Sequence, residues 1–523
     1  MKDLVVKGDW WFPGKEQEKV RGELRFSEEK GSRLFLAPSN LPLIKKTDII
    51  LGLTDNNDKI TLYDCYLQRF GLIGLREYEF ESRNLFWGVH FEDIPHFSRI
   101  DFQSETLSQW VNIDGFTHRE DITLRPGESA IFYKKPEDVK LGKWDCCTCY
   151  LIFKVVQISS GRSSHKQELK QEVSLRLDYE EEVVFIDIES QAHALMNMLA
   201  FAADSPVYSN EMTGYTLATG EMPIGIYSRQ HIRGSLTKEK EVSHFLFEFT
   251  DVHEHAPQFI EKWIDLSLGD LSPFTNNYIA EKYIPSGFVE RKFLEYVRCL
   301  EVYHRKTSRQ NSMKLKERLL EIVGKYRYNI ELFSDYAVEE FCERAKNGRH
   351  YLTHYEEKAD QERMSLNEMV EKTNKMKILI DICLLAEMGF SKEDIDRKFH
   401  HYISMPYRIM AADSYIEKHL TDESEKIATK KAATYLIKHC SNEPYVILAL
   451  CNMHTKEERE ELAASIKVLK SIGMLQKLVS RGNVRIVFSK EYEKYVDKYY
   501  REKKKEEEEV RSTSKRKGKE EGS

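Results

Sequence analysis

Apolar positions in the first 230 residues come in short runs. "KVRGELRF", "SRLFLA", "TDIILGLT" and "KITLYDCYL" are alternating or apolar stretches broken by "SEEKG" and "DNND", the pattern of strands joined by polar turns. A second set follows in "FWGVHFEDI", "RIDFQSETLSQWV", "ESAIFYKK", "CYLIFKVVQI", "EVSLRLDY" and "EEVVFIDI". Then "ESQAHALMNMLAFAADSPV" turns to small and apolar residues at helical spacing, and is predicted to lie as a helix against the sheet.

Beyond about Ser243 the period changes from two to 3.6. "HAPQFIEKWIDLS" is amphipathic, and "SGFVERKFLEYVRCLEVYHRK" puts Phe293, Val297, Leu300 and His304 on one stripe. "MKLKERLLEIVGKY" and "DYAVEEFCERAK" read as separate helices. "SLNEMVEKTNKMKILIDICLLAEMG" reads as one long helix with Gly389 as its C-cap. Four such helices with short connections make an antiparallel bundle. From Thr421, "EKIATKKAATYLIKHC", "EPYVILALC" and "EREELAASIKVLKSIGMLQKLV" read as three helices, and "MLQKLVSRGNVRIVFS" as a hairpin around "SRGN". That is the order of a winged-helix domain. The tail "REKKKEEEEVRSTSKRKGKEEGS" carries almost nothing apolar and is expected to be disordered.

The chain is therefore expected to be α+β. A β-rich domain covers 1–242, a helical connector 243–285, a helical bundle 286–420, a winged-helix-like unit 421–500 and a charged tail 501–523. No repeat at solenoid or propeller periods is present.

Composition narrows the function. Against 86 Asp+Glu stand 79 Lys+Arg, a formal charge of −7, so nucleic-acid affinity must be local. No apolar run approaches the roughly 18–20 residues of a membrane span, and a cytoplasmic protein is expected. Nine cysteines in 523 residues are no disulfide framework. "DCCTCY" lacks the second cysteine pair of a zinc site, so buried thiols on a strand are the simpler reading. Neither metal nor other cofactor is expected.

Chemistry concentrates in "NGRHYLTHYEE", Asn347 to Glu357, and three readings compete. His350 and His354 stand one helical turn apart, as paired metal ligands do, but Tyr351 occupies the place of the glutamate in HExxH. Alternatively, the residues cap a helix end. The third reading is RNA cleavage without a metal. RNA carries its own nucleophile in the 2′-hydroxyl, so a histidine to move protons and an arginine to fork onto phosphate oxygens suffice. Between Val302 and Ile330, eight basic residues stand against two acidic ones, with Tyr303, His304, Tyr326 and Tyr328 interleaved. Cations track a backbone and aromatic faces stack on bases; Arg305, Lys306 and Arg309 are the candidate RNA contacts.

"RHYLTH" in its helical setting resembles the Arg-x4-His element of the HEPN superfamily. Together with "GDWWFPG", "VRGELRF" and "DIILGLTDNNDKITLYDC", and with the later stretches "FIEKWIDL", "RKFLEYVRCLEVYHRK", "RAKNGRHYLTH" and "ILIDICLLAEMGFSKEDI", the chain resembles ApeA-type anti-phage HEPN proteins from Gly8 to His401. That resemblance implies a homodimeric, metal-independent endoribonuclease of abortive-infection defence, cutting cellular or phage RNA, tRNA among them, on a phage-derived trigger. Arg349 would polarise the scissile phosphate and His354 move the proton. His350, where asparagine is usual, would support them, and Glu301 and His304 would border the cleft. The β-rich domain would be sensor or restraint. Two rivals are a non-catalytic HEPN protein that dimerises and binds RNA, and a DNA-binding regulator with "ASIKVLKSIG" as recognition helix and Arg481, Arg485 and Lys490 near its wing.

Overall fold

A computed structural model describes residues 4–27, 30–36, 46–70, 78–117, 130–159, 167–209, 211–220, 222–228, 245–284, 288–308, 310, 312–326, 335–354, 363–399, 405–440, 456–480, 483–489 and part of 491–502. The first six strands are β1 (Leu4–Trp11), β2 (Val20–Ser27), β3 (Gly31–Leu36), β4 (Lys46–Thr54), β5 (Lys59–Phe70) and β6 (Tyr78–Trp87). They pair antiparallel in the order β1-β2-β3-β6-β5-β4 and back to β1, closing a barrel. Alternate residues fill it: Leu34 and Leu36, Ile60 and Leu62, Tyr78 and Phe80 all join one buried cluster with Trp10, as a period of two requires.

Trp10 explains the glycines. It faces Gly52 across the β1–β4 ladder, and a Cβ built on Gly52 would overlap its ring. Gly52→Val is therefore expected to destabilise the barrel by about 1–3 kcal/mol through overpacking, read as a lower thermal midpoint. An unchanged midpoint would show that the ring has room to move.

One strand joins the barrel to the rest of the sheet. β5 pairs along the whole of β6, whereas the other edge of β6 is shared by β3 at Tyr78–Ser82 and by a later strand at Asn84–Trp87. From β6 the same sheet extends through β7 (His96–Gln103), β10 (Val139–Trp144), β11 (Cys147–Ser159), β12 (Gln167–Val184), β13 (Glu211–Tyr215) and β14 (Ile224–Ser228), in the order β10-β11-β12-β7-β13-β14-β6. α1 (Glu105–Val111) follows β7, and β8 (Phe116–Thr117) pairs with β9 (Phe132–Tyr133) apart from the main sheet. The strand expected through "RIDFQSETLSQWV" thus ends early: Ser104 caps α1, its hydroxyl accepting the Thr106 N–H at 3.2 Å. Among the described residues of "ESAIFYKK", Phe132 and Tyr133 form β9. Cys147 and Cys149 are buried on β11, and desolvation pushes the Cys147 thiol up to about 12; they are structural thiols.

α2 (Phe185–Ala203) starts four residues before the helix expected at Glu189, directly out of β12. It is buried on nearly every side, and Arg83 of β6 reaches its Glu189 at 2.8 Å. After α3 (Phe249–Val252), α4 (Ala256–Leu268) packs on α2 and β10. Trp263 stacks on Phe201 and donates its indole N–H to the Ala194 carbonyl at 2.6 Å. Next come α5 (Ser272–Tyr283), α6 (Val289–Ser308), α7 (Leu315–Tyr326), α8 (Asp335–His354) and α9 (Leu366–Met388). Gly389 ends α9 in the left-handed region at φ 99°, its N–H bonding back to Leu385 and Ala386, as expected of a C-cap.

Contacts divide the chain into two compact units. One comprises Met1–Met313, Leu352–Tyr355 and Met364–Gly389; the other comprises Lys314–Tyr351, Glu356–Arg363 and Phe390–Ser523. In the first, α6 packs on α9, and the Tyr303 hydroxyl donates to Glu387 at 2.7 Å. In the second, Lys316 of α7 pairs with Glu343 of α8 at 3.0 Å.

The second unit continues with α10 (Lys392–Phe399), α11 (Met405–His419), α12 (Glu423–Cys440), α13 (Lys456–Ser471) and the hairpin β15 (Leu475–Ser480) and β16 (Asn483–Phe488). Ile416, Ala433, Leu436, Leu469, Met474 and Tyr492 share one core, so α11, upstream of Thr421, packs with the winged-helix-like elements. The helix expected through "SIGMLQKLV" stops at Ser471, and Gly473 at φ 77° leads into the hairpin. "EPYVILALC", Arg481, Lys490 and the tail from 503 lie outside the described residues.

Candidate active site

α8 is a single helix of 20 residues with Phe341, Cys342, Ala345 and Leu352 buried along one stripe. Its last turns carry Arg349, His350 and His354, all exposed. At about 100° per residue, His350 and His354 lie about 40° apart around the axis. Arg349 and His354, five positions apart, are separated by about 140° and by about 7.5 Å of rise.

The sequence-derived helpers are placed less uniformly. On α6, Glu301 accepts from Arg305 at 2.8 Å, which commits this expected RNA contact to an intrahelical pair. His304 is buried, with Ser308 Oγ 3.1 Å from its Nδ1. Lys306 is exposed, and Arg309 lies outside the described residues.

The interleaved basic and aromatic stretch needs correction. Tyr303 and Tyr326 are core residues and Arg318 is completely buried, so none of them offers a surface for bases. Lys316 is held by Glu343, whose carboxyl is kept below its ordinary range by hydrogen bonds from Lys346 and Lys316. The alternation came from an amphipathic helix: Tyr326 falls on the stripe of Leu315, Leu319, Ile322 and Val323. Among the described residues, no group of three or more His, Cys, Asp and Glu side chains is placed to hold a metal ion.

Sequence reasoning overlooked a polar cluster in the first unit. Tyr278 of α5 donates its hydroxyl to Asp381 of α9. Lys377 bridges Asp381 at 3.0 Å and Asp204 at 3.1 Å. Lys282 of α5 reaches Asp204 at 2.5 Å. Burial alone would raise the Asp204 carboxyl, but Lys282 and Lys377 outweigh it and hold it at about 2. The signal was Asp381 itself, a lone acid in "ILIDICLL", because a charge buried in an apolar run must be paired.

Two family models match the chain. ApeA N-terminal domain 1 covers residues 5–263 and the Apea-like HEPN domain covers residues 294–394. The chain belongs to the ApeA-type HEPN family. Neither the search of curated proteins nor that of solved structures returned a match. The HEPN match encloses Arg349, His350 and His354, and it contains α7, α8 and α9 in full. The ApeA N-terminal match runs past the β-rich region into α4, ending at Trp263, the residue that stacks on α2. HEPN domains are typically ribonucleases, and ApeA-type membership supports a nuclease-type anti-phage role in general. Among the described residues, no helix is long and apolar enough to cross a membrane.

Proposed function

We propose that this ApeA-type HEPN protein is a metal-independent endoribonuclease of anti-phage defence, acting as a homodimer whose two α8 ends face one RNA strand. The observation that carries the reading is the exposure of Arg349 and His354 on successive turns at the end of one helix, inside the HEPN match. A 2′-hydroxyl attacks its own phosphate. One His354 imidazole takes the hydroxyl proton, and the second copy's imidazole protonates the departing 5′-oxygen, since one group cannot comfortably do both at once. Arg349 stabilises the charge gathering on the phosphoryl oxygens. The products are a 2′,3′-cyclic phosphate and a 5′-hydroxyl.

Sequencing of RNA ends after induction tests this reading. Wild type is expected to accumulate 5′-hydroxyl and cyclic-phosphate ends at defined positions, tRNA among the substrates to inspect, and His354→Ala none. RNA binding without new ends, unaltered by either motif substitution, would instead make the domain a non-catalytic RNA-binding module.

A further inference from the structure

α5 has two working faces. Tyr278 and Lys282, four apart, face the Asp381–Lys377–Asp204 cluster. Asn276, Ile279, Ala280 and Tyr283, at the i, i+3, i+4, i+7 spacing of the other side, line a cleft of about 670 Å³ between α2, the end of α4, α5 and the segment around Tyr208. The volume lies within the range of small-molecule sites.

The lining is selective. Among the described residues no Lys, Arg, Asp or Glu side chain contributes to it, so a charged ligand would find no counter-ion among them. Tyr208 and Tyr283 form an edge-to-face aromatic pair with ring centres 5.6 Å apart. His193, Asn197 and Asn276 add polar edges, and the Asn276 amide is anchored on the Ser267 carbonyl at 3.1 Å. Ser267 lines the same cleft, is 1% exposed, and its hydroxyl has no hydrogen-bond partner among the described residues. A buried hydroxyl left unpaired is costly, which makes this one a ready partner for a ligand group.

We infer that this cleft binds an uncharged planar heterocycle of nucleoside size. Aromatic faces hold a base by stacking, and an asparagine amide offers donor and acceptor together, the pair that a base edge complements. The site uses none of the residues of the RNA-cutting motif, yet it rests on α5, the helix that ties α2 to α9.

The test uses the full chain with His354→Ala, so that RNA cleavage plays no part, and the four ribonucleosides and their 5′-monophosphates as probes at about 1 mM. At least one nucleoside is expected to raise the thermal midpoint and bind by calorimetry, with its monophosphate at least about tenfold weaker. Ser267→Ala should weaken binding about three- to tenfold without lowering the unliganded midpoint, because its hydroxyl loses no protein partner. Asn197→Leu should weaken it further. The inference is overturned if no nucleoside binds, if monophosphates bind equally well, or if neither substitution alters affinity.

Discussion

His354→Ala is expected to lower RNA cleavage by about a thousandfold, the scale on which a positioned general acid–base contributes. Because His354 is exposed at the end of α8, its loss should leave the thermal midpoint unmoved, which separates a chemical defect from unfolding. Arg349→Ala should cost about a hundred- to a thousandfold, as expected for a charge that stabilises the transition state. Arg349→Lys should recover only part of this, since a lysine keeps the charge and loses the planar fork. His350→Asn, which restores the residue usual in such motifs, should retain activity. Single-turnover cleavage of a defined RNA, with EDTA present, reads all four. Full activity in both alanine variants would refute the assignment of the site.

The largest stability effect is expected at Asp381→Ala, about 3–5 kcal/mol, the cost of removing one partner from a buried charge pair. Asp381 is 3% exposed and accepts from both Tyr278 and Lys377. Its removal strands a completely buried phenol and frees Lys377 to depend on Asp204 alone. Tyr278→Phe, which leaves Asp381 its lysine, should cost only about 1 kcal/mol. Thermal midpoints measured beside Glu393→Ala, an exposed acid on α10, give the comparison. A loss at Asp381 no greater than at Glu393 would mean that the cluster does not hold α5 and α9 together.

Consequences for the fold follow from where that cluster lies. It ties α2, inside the ApeA N-terminal match, to α9, inside the HEPN match, through α5 between them. The cluster lies in the first unit, where it joins the ApeA N-terminal match to the part of the HEPN match that this unit contains.

Local pattern decided a good part of this protein. Alternation in "TDIILGLT" and "KITLYDCYL" predicted β4 and β5, the stripe through Phe293 and Leu300 predicted α6, and Gly389 marked the end of α9, because side-chain period and cap chemistry act within a few residues. The "RHYLTH" element and its helix were legible for the same reason. Tertiary structure alone decided that β6 closes a barrel and also carries the further strands of the same sheet, since strand pairing joins residues far apart in sequence. It alone decided that Tyr303, Tyr326 and Arg318 are core, because a basic amphipathic helix and a nucleic-acid surface share one composition and differ only in which face is covered. It also decided that Asp204, Lys282, Lys377 and Asp381 meet: Asp381 is buried and its charge needs the partners that packing supplies, while Asp204 stays exposed at the edge of the cluster.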